Sequence, residues 1–139
     1  MRIAELSNYL EKILEELKQK YMKINANFLG IEVNNFSLDK IPTASVLERW
    51  ITGIEIHRDV YSLTTRKAYS SEVLNNLKNI GFFEEFESVI KSKNDKGELP
   101  EIDGIESIGC LNCGALNYVD ESMKTAVFDI QIQITYKEV

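Results

Sequence analysis

The chain has 139 residues, 44% of them hydrophobic, which is enough to bury one core and too little for two, so residues 1–139 are expected to form a single domain. Its 22 acidic and 16 basic side chains leave a formal charge of −6, which repels phosphates, argues against sequence-specific nucleic-acid binding and points to protein partners. No stretch approaches the ~20 apolar residues of a membrane span, and Glu5 interrupts the N-terminus where a signal peptide runs apolar, so the chain reads as cytoplasmic, without a membrane partner.

From residue 2 to residue 24, Ile3, Leu6, Leu10, Ile13, Leu14, Leu17, Tyr21 and Ile24 recur at steps of three and four, which predicts a long amphipathic helix. Its other face carries Glu5, Glu11, Lys12, Glu15, Glu16, Lys18 and Lys20 and reads as solvated. The apolar run Phe28 to Val33 predicts a strand, and the polar stretch Asn34 to Pro42 a loop. Two extended segments, 44–50 and 54–66, flank Ile51, Thr52 and Gly53 and predict a β-hairpin.

Ser70, Ser71 and Glu72 open a helix carrying Val73, Leu74, Leu77 and Ile80, which Gly81 is expected to stop. Phe82, Phe83, Phe86, Val89 and Ile90 then repeat the helical spacing up to Asn94, giving a central helical pair. Strands are expected at 105–111, at 114–119 and, after a polar turn at Asp120, Glu121 and Ser122, from Lys124 to Lys137. In that last strand Ala126, Phe128, Ile130, Ile132, Ile134 and Tyr136 alternate with Val127, Asp129, Gln131, Gln133, Thr135 and Lys137, which marks one buried and one wet face. The order of elements predicts an α+β domain: a mainly antiparallel or mixed sheet, with a long N-terminal helix and the central helical pair packed on it.

Cys110 and Cys113 supply two of the four soft ligands of a structural zinc, and no second pair follows, so no metal site is expected; they read as small thiols of a reducing compartment. They lie between expected strands, not at the start of a helix as in a thioredoxin-like redox pair. His57 is the sole histidine, so a catalytic site would have to be built on it, with Asp59 two residues along the same strand and Cys110 or a serine as nucleophile. It reads instead as a surface histidine on the strand's polar face, and no catalytic residue is assigned. The seven glycines form no phosphate-binding pattern, so no cofactor is expected. Trp50, Tyr61, Phe82, Phe83, Phe86 and Phe128 read as core, since no basic stripe accompanies them.

Phe82-Phe83-Glu84-Glu85-Phe86 in a helix, Leu99-Pro100 closing the next loop, Ile105 to Leu111 as a strand and Ala126 to Tyr136 as a long last strand resemble the small minor capsid or tail-terminator proteins of tailed phages and phage-tail-like particles of Gram-positive bacteria. The N-terminal helix and the hairpin around Trp50 and Ile54 fit the same order of elements. The resemblance implies a structural, non-enzymatic subunit of a phage, prophage or tailocin. Such a subunit assembles in the host cytoplasm, caps the tail tube as a homo-oligomeric ring, commonly a hexamer, and meets head-completion or collar proteins, or a sheath. Loop tips on a rigid scaffold commonly carry binding, so Asn35, Asp39 and Lys40 of one tip and Asp120, Glu121 and Lys124 of the other are the candidate contacts between rings. The alternative is a small acidic binding or immunity-type monomer that blocks one protein partner with its wet sheet face.

Overall fold

The computed structural model of the protein describes residues 2–17, 24–26, 29, 36–42, 46–68, 73–120 and 124–138. The elements, in chain order, are α1 (Arg2–Glu16), β1 (Ile24–Ala26), β2 (Phe36–Ile41), β3 (Val46–Arg49), β4 (Glu55–Ala68), α2 (Val73–Asp95), β5 (Ile105–Val119) and β6 (Thr125–Glu138). The strands make one sheet in the order β1-β2-β4-β6-β5, with β3 paired to β4 as well. All pairings are antiparallel except β1 with β2, so the domain is α+β with a mixed, mainly antiparallel sheet.

The amphipathic pattern puts Leu6, Leu10, Ile13 and Leu14 of α1 wholly out of water. The helix closes with Leu17 N–H donating to the Ile13 carbonyl, and it does not reach Ile24 as the spacing suggested. Ile24 instead pairs with Phe36 across β1 and β2, so one apolar residue at the right interval had been read as a further helical turn. The expected strand from Phe28 to Val33 falls almost wholly outside the described residues, as do Tyr21 and the expected cap at residues 70–72.

The expected loop 34–42 is overturned between Phe36 and Ile41, which form β2. Phe36 and Leu38 are buried in the core, while Ser37 and Asp39 alternate to the other side; the polar residues hid a period of two. The hairpin stands as expected: β3 folds back on β4, Trp50 N–H donates to the Ile54 carbonyl at 2.8 Å, and Gly53 supplies the left-handed φ of 91° that the turn requires. All 14 residues of β4 pair with β6 without a register shift, from Glu55 opposite Glu138 to Ala68 opposite Thr125.

The central helical pair is also overturned, because α2 runs unbroken from Val73 to Asp95. Gly81 costs a helix interior about 1 kcal/mol relative to alanine, but Asn79, Phe82, Phe83, Phe86 and Ile90 are all buried along one stripe, and burying that stripe outweighs the glycine. Likewise β5 is one strand, not two, although its register against β6 shifts at several points, including Cys110/Asn112 and Cys113/Ala115. In the last strand Ala126, Ile130, Ile132, Ile134 and Tyr136 are buried on the helix side as the alternation predicts, whereas Phe128 is only partly buried and Val127, expected on the wet face, is 2% exposed.

Both helices cover the same face, where Leu10, Leu14 and Phe86 meet Phe36, Leu38, Leu63, Ile130 and Ile132 in one core. Two glycine substitutions test this architecture. A side chain at Gly81 meets nothing within 4 Å, so Gly81→Ala should raise stability by about 0.5–1 kcal/mol, whereas a true helix stop would lose stability. Gly114 has φ +91° and its added Cβ would lie 2.6 Å from the Phe83 ring, so Gly114→Ala should lose roughly 1–3 kcal/mol in denaturant titration.

Candidate functional site

The register of β4 on β6 decides which side chains face the helices. His57 pairs with Tyr136, Asp59 with Ile134 and Tyr61 with Ile132, which places all three on the helix side. The expectation that His57 lies on the polar face is therefore corrected. Its side chain is 11% exposed and its ring stacks on Tyr136 with centroids 5.4 Å apart. His57 Nε2 lies 3.2 Å from Glu55 and 3.3 Å from Glu138. That contact, with Arg49 at 2.7 Å as a second partner, holds the Glu55 carboxyl below its ordinary pKa.

Asp59 is 1% exposed, and a bare carboxylate there would cost several kcal/mol. Its oxygens are instead taken up on all sides. Arg2 Nε donates at 3.0 Å, the Tyr61 and Tyr136 hydroxyls donate at 3.2 and 3.3 Å, and Lys40 Nζ stands 3.6 Å away as an ion pair. A carboxylate offers about four lone-pair sites, and three of them are hydrogen-bonded here, with Lys40 adding charge compensation. Burial, reinforced by the Asp59 charge, pushes the Tyr61 hydroxyl up to about 12. Because Arg2 begins α1 and also lies over the Tyr136 ring at 4.6 Å, the cluster ties the start of the helix to the sheet. Tyr9 donating to the Glu98 carbonyl at 2.8 Å and Glu16 paired with Lys93 at 3.2 Å tie down the rest of α1.

The cysteines stand farther along the sheet. Cys110 is opposite Ile132 and Cys113 opposite Ile130, whereas His57 is opposite Tyr136, so roughly 13 Å of strand separates His57 from Cys110. Neither a histidine–thiol pair nor a shared metal site is assembled, and among the described residues no three metal-ligating side chains come together. Both thiols pack against the core, and Cys113 Sγ donates to the Phe83 carbonyl at 3.2 Å. The hydrogen bond with Cys110, then burial, raise the Cys113 thiol above its ordinary range.

Of the expected contact residues, Asn35 and Glu121 lie outside the described residues. Asp39 and Lys40 are in β2, opposite Ser62 and Tyr61, not at a loop tip, and Lys40 is engaged with Asp59. Asp120 and Lys124 do sit at the β5–β6 turn. Asp120 is half-buried, accepts from the Thr125 hydroxyl and pairs with Arg66 at 3.3 Å, which leaves Lys124 as the exposed member.

Two exposed apolar patches were not anticipated. At the β3–β4 turn Ile51 is 107% exposed, with Trp50 and Leu47 beside it; Trp50 is thus not core, although Tyr61, Phe82, Phe83 and Phe86 are. On β5, an edge of the sheet, Leu111, Leu116 and Tyr118 are about half exposed. The signal for the first was the turn itself, since residues at a hairpin tip have no neighbours to bury them. Tyr118 pairs with Val127, which lies opposite Arg66, while the hairpin tip precedes Glu55, so at ~3.3 Å per residue Tyr118 sits roughly 35 Å along the sheet from the tip, with Leu111 nearer to it. Among the described residues no helix is long and apolar enough to cross a membrane. No family model and no curated protein matches the chain.

Two measurements test the buried charges. Replacing both Arg2 and Lys40 by alanine strands the Asp59 carboxylate and should lose about 3–5 kcal/mol, whereas Asp59→Asn should lose less, because the two cations left behind are half exposed and rehydrate. The reverse order in denaturant titration contradicts this account. Lys67 is buried against Phe82, with its Nζ 4.1 Å from the ring centroid, and burial lowers its pKa to about 8. The unfolded chain holds that proton more tightly, so the penalty is present in full below pH 8 and is relieved as pH rises toward the ordinary lysine value. Stability relative to Lys67→Met should therefore improve by roughly 1–3 kcal/mol between pH 8 and pH 10.

Proposed function

We propose that this chain is a structural subunit of a phage, prophage or phage-tail-like particle, a tail terminator or collar protein that caps the tail tube as a ring of six copies and joins it to head-completion or collar proteins. The observation that carries the reading is that exposed apolar side chains stand at two separate places on one sheet, the hairpin tip and the β5 edge. A closed ring is built from heterologous contacts, in which each subunit presents two different surfaces. A hairpin tip bearing a wholly exposed isoleucine and a separate patch on a sheet edge supply that difference. Exposed apolar groups of this kind on so small a domain mark contact surfaces.

In this reading the tip of one copy, Trp50 and Ile51, seats on Leu116 and Tyr118 of the next. The register shifts of β5 bend its edge and discourage open-ended strand pairing, so the contact is made through side chains and can close. The role is assembly rather than catalysis, in keeping with an Asp59 buried among Arg2, Tyr61 and Tyr136 and a His57 placed between two carboxylates. The chain acts in the host cytoplasm during assembly and leaves as part of the particle; tail tube protein lies on one side of the ring.

Light scattering of the chain alone and bound to polymerised tail tube protein from neighbouring genes tests the proposal. A defined ring mass is expected in at least the second sample, and Ile51→Asp should weaken its formation by about 30-fold, the effect of losing a ~2 kcal/mol hot-spot residue. A monomer under both conditions, unaffected by Ile51→Asp and bound one-to-one to some other protein, contradicts it and favours an immunity-type binding protein.

A further inference from the structure

The Cys110 and Cys113 thiols take no part in the assembly reading, and the geometry of the stretch that carries them is unusual for a strand. Residues three apart on a regular strand point to opposite faces. Here the register slips between Cys110 and Asn112, so that Cys110 opposes Ile132 and Cys113 opposes Ile130. Three residues of β5 are thus matched to two of β6, and both thiols fall on the helix side, packed against the core. Two steps of β6 span about 6.6 Å, inside the upper limit of about 6.8 Å for the Cα atoms of a disulfide.

The surroundings give the backbone room for the small movement that closure needs. β5 lies at the edge of the sheet, where its outer side is outside the strand order, and Gly109 and Gly114 bracket the pair. Both cysteines are half-buried, within reach of small solutes yet held against the core. Leu111, the residue left unpaired by the slip, is 55% exposed and points away from the interior.

We propose that Cys110 and Cys113 form a redox-active dithiol that closes to an intrachain disulfide by exchange with a small-molecule disulfide of the glutathione class. Cys113 holds its hydrogen toward the Phe83 carbonyl, so Cys110 reacts first. The Cys110 thiol gives up its proton and its sulfur attacks one sulfur of the glutathione disulfide; that S–S bond breaks and one glutathione thiolate leaves. The Cys113 sulfur, deprotonated in turn, attacks the Cys110 sulfur of the mixed disulfide and releases the second glutathione thiolate. The two cysteines lose two electrons together, the glutathione disulfide gains them, and the two protons end on the released thiols. In a reducing compartment the pair stays open, and an oxidising one closes it, fixing the Leu111 bulge on the sheet edge.

Oxidised glutathione added to the folded protein, followed by alkylation and intact-mass and peptide analysis, tests this. The expected product is lighter by two hydrogen atoms, has lost both alkylatable thiols and retains no glutathione, with the bond mapped between Cys110 and Cys113. Cys113→Ser should retain one glutathione on Cys110, because the resolving thiol is missing, and Cys110→Ser should take up glutathione more slowly, because the thiol that attacks first is gone. Wild-type protein that retains glutathione, crosslinks between copies, or keeps both thiols free where the unfolded chain is oxidised would overturn the proposal.

Discussion

The unbroken pairing of β4 with β6 is the constraint on which the rest of the molecule depends. It runs the full 14 residues of β4 with no slip, whereas the neighbouring β3 and β5 pairings both shift register. A slip of one residue would exchange every side chain between the faces. In β4 it would turn Leu63 and Tyr61 away from the helices and present Ser62 and Val60 in their place, while Ile130 and Ile132 of β6 stayed where they are. The alternation of β6, with four isoleucine and tyrosine positions buried in a row, makes that exchange prohibitive.

The same register explains why polar groups lie under the helices. Asp59 falls on the helix side because Leu63 and Tyr61 do, and its charge is tolerated because α1 begins with Arg2 at the right place to meet it. A buried carboxylate of this kind contributes little net stability, but it distinguishes one seating of α1 from others, since any other leaves the charge stranded. Lys67, two strand steps beyond Leu63's neighbour Thr65 and against Phe82, is a second polar group on that side, and its lowered pKa records the cost of its position. Among the described residues, large apolar side chains meet water at the hairpin tip, along the β5 edge and at Ile80 of α2.

Much of this was legible in the chain and some was not, for identifiable reasons. The first helix and the last strand carry periods that only one conformation satisfies, and both form, the helix described from Arg2 to Glu16 with Ile24 already in β1. Gly81 misled because a glycine signals a stop only when no buried stripe continues past it, and Phe82, Phe83 and Phe86 continue it. Residues 36–41 misled because Ser37, Asp39 and Lys40 have loop-like composition while Phe36 and Leu38 keep strand spacing. The face of His57 and the exposure of Trp50 depend on which neighbours the register brings, which no local pattern contains. The dithiol geometry rests on a bulge and was equally hidden.

The central claim is that the β4–β6 ladder holds two different contact patches apart so that neighbouring copies join tip to edge. Its most direct test is site-directed crosslinking in a Cys110→Ser/Cys113→Ser background carrying Ile51→Cys and Tyr118→Cys, with the chain assembled on tail tube. Because the two sites of one copy are roughly 35 Å apart, a short crosslinker should join different copies only, giving a ladder of products that ends at the closed ring. Crosslinking confined to single chains, or none in assemblies that have formed, would contradict it.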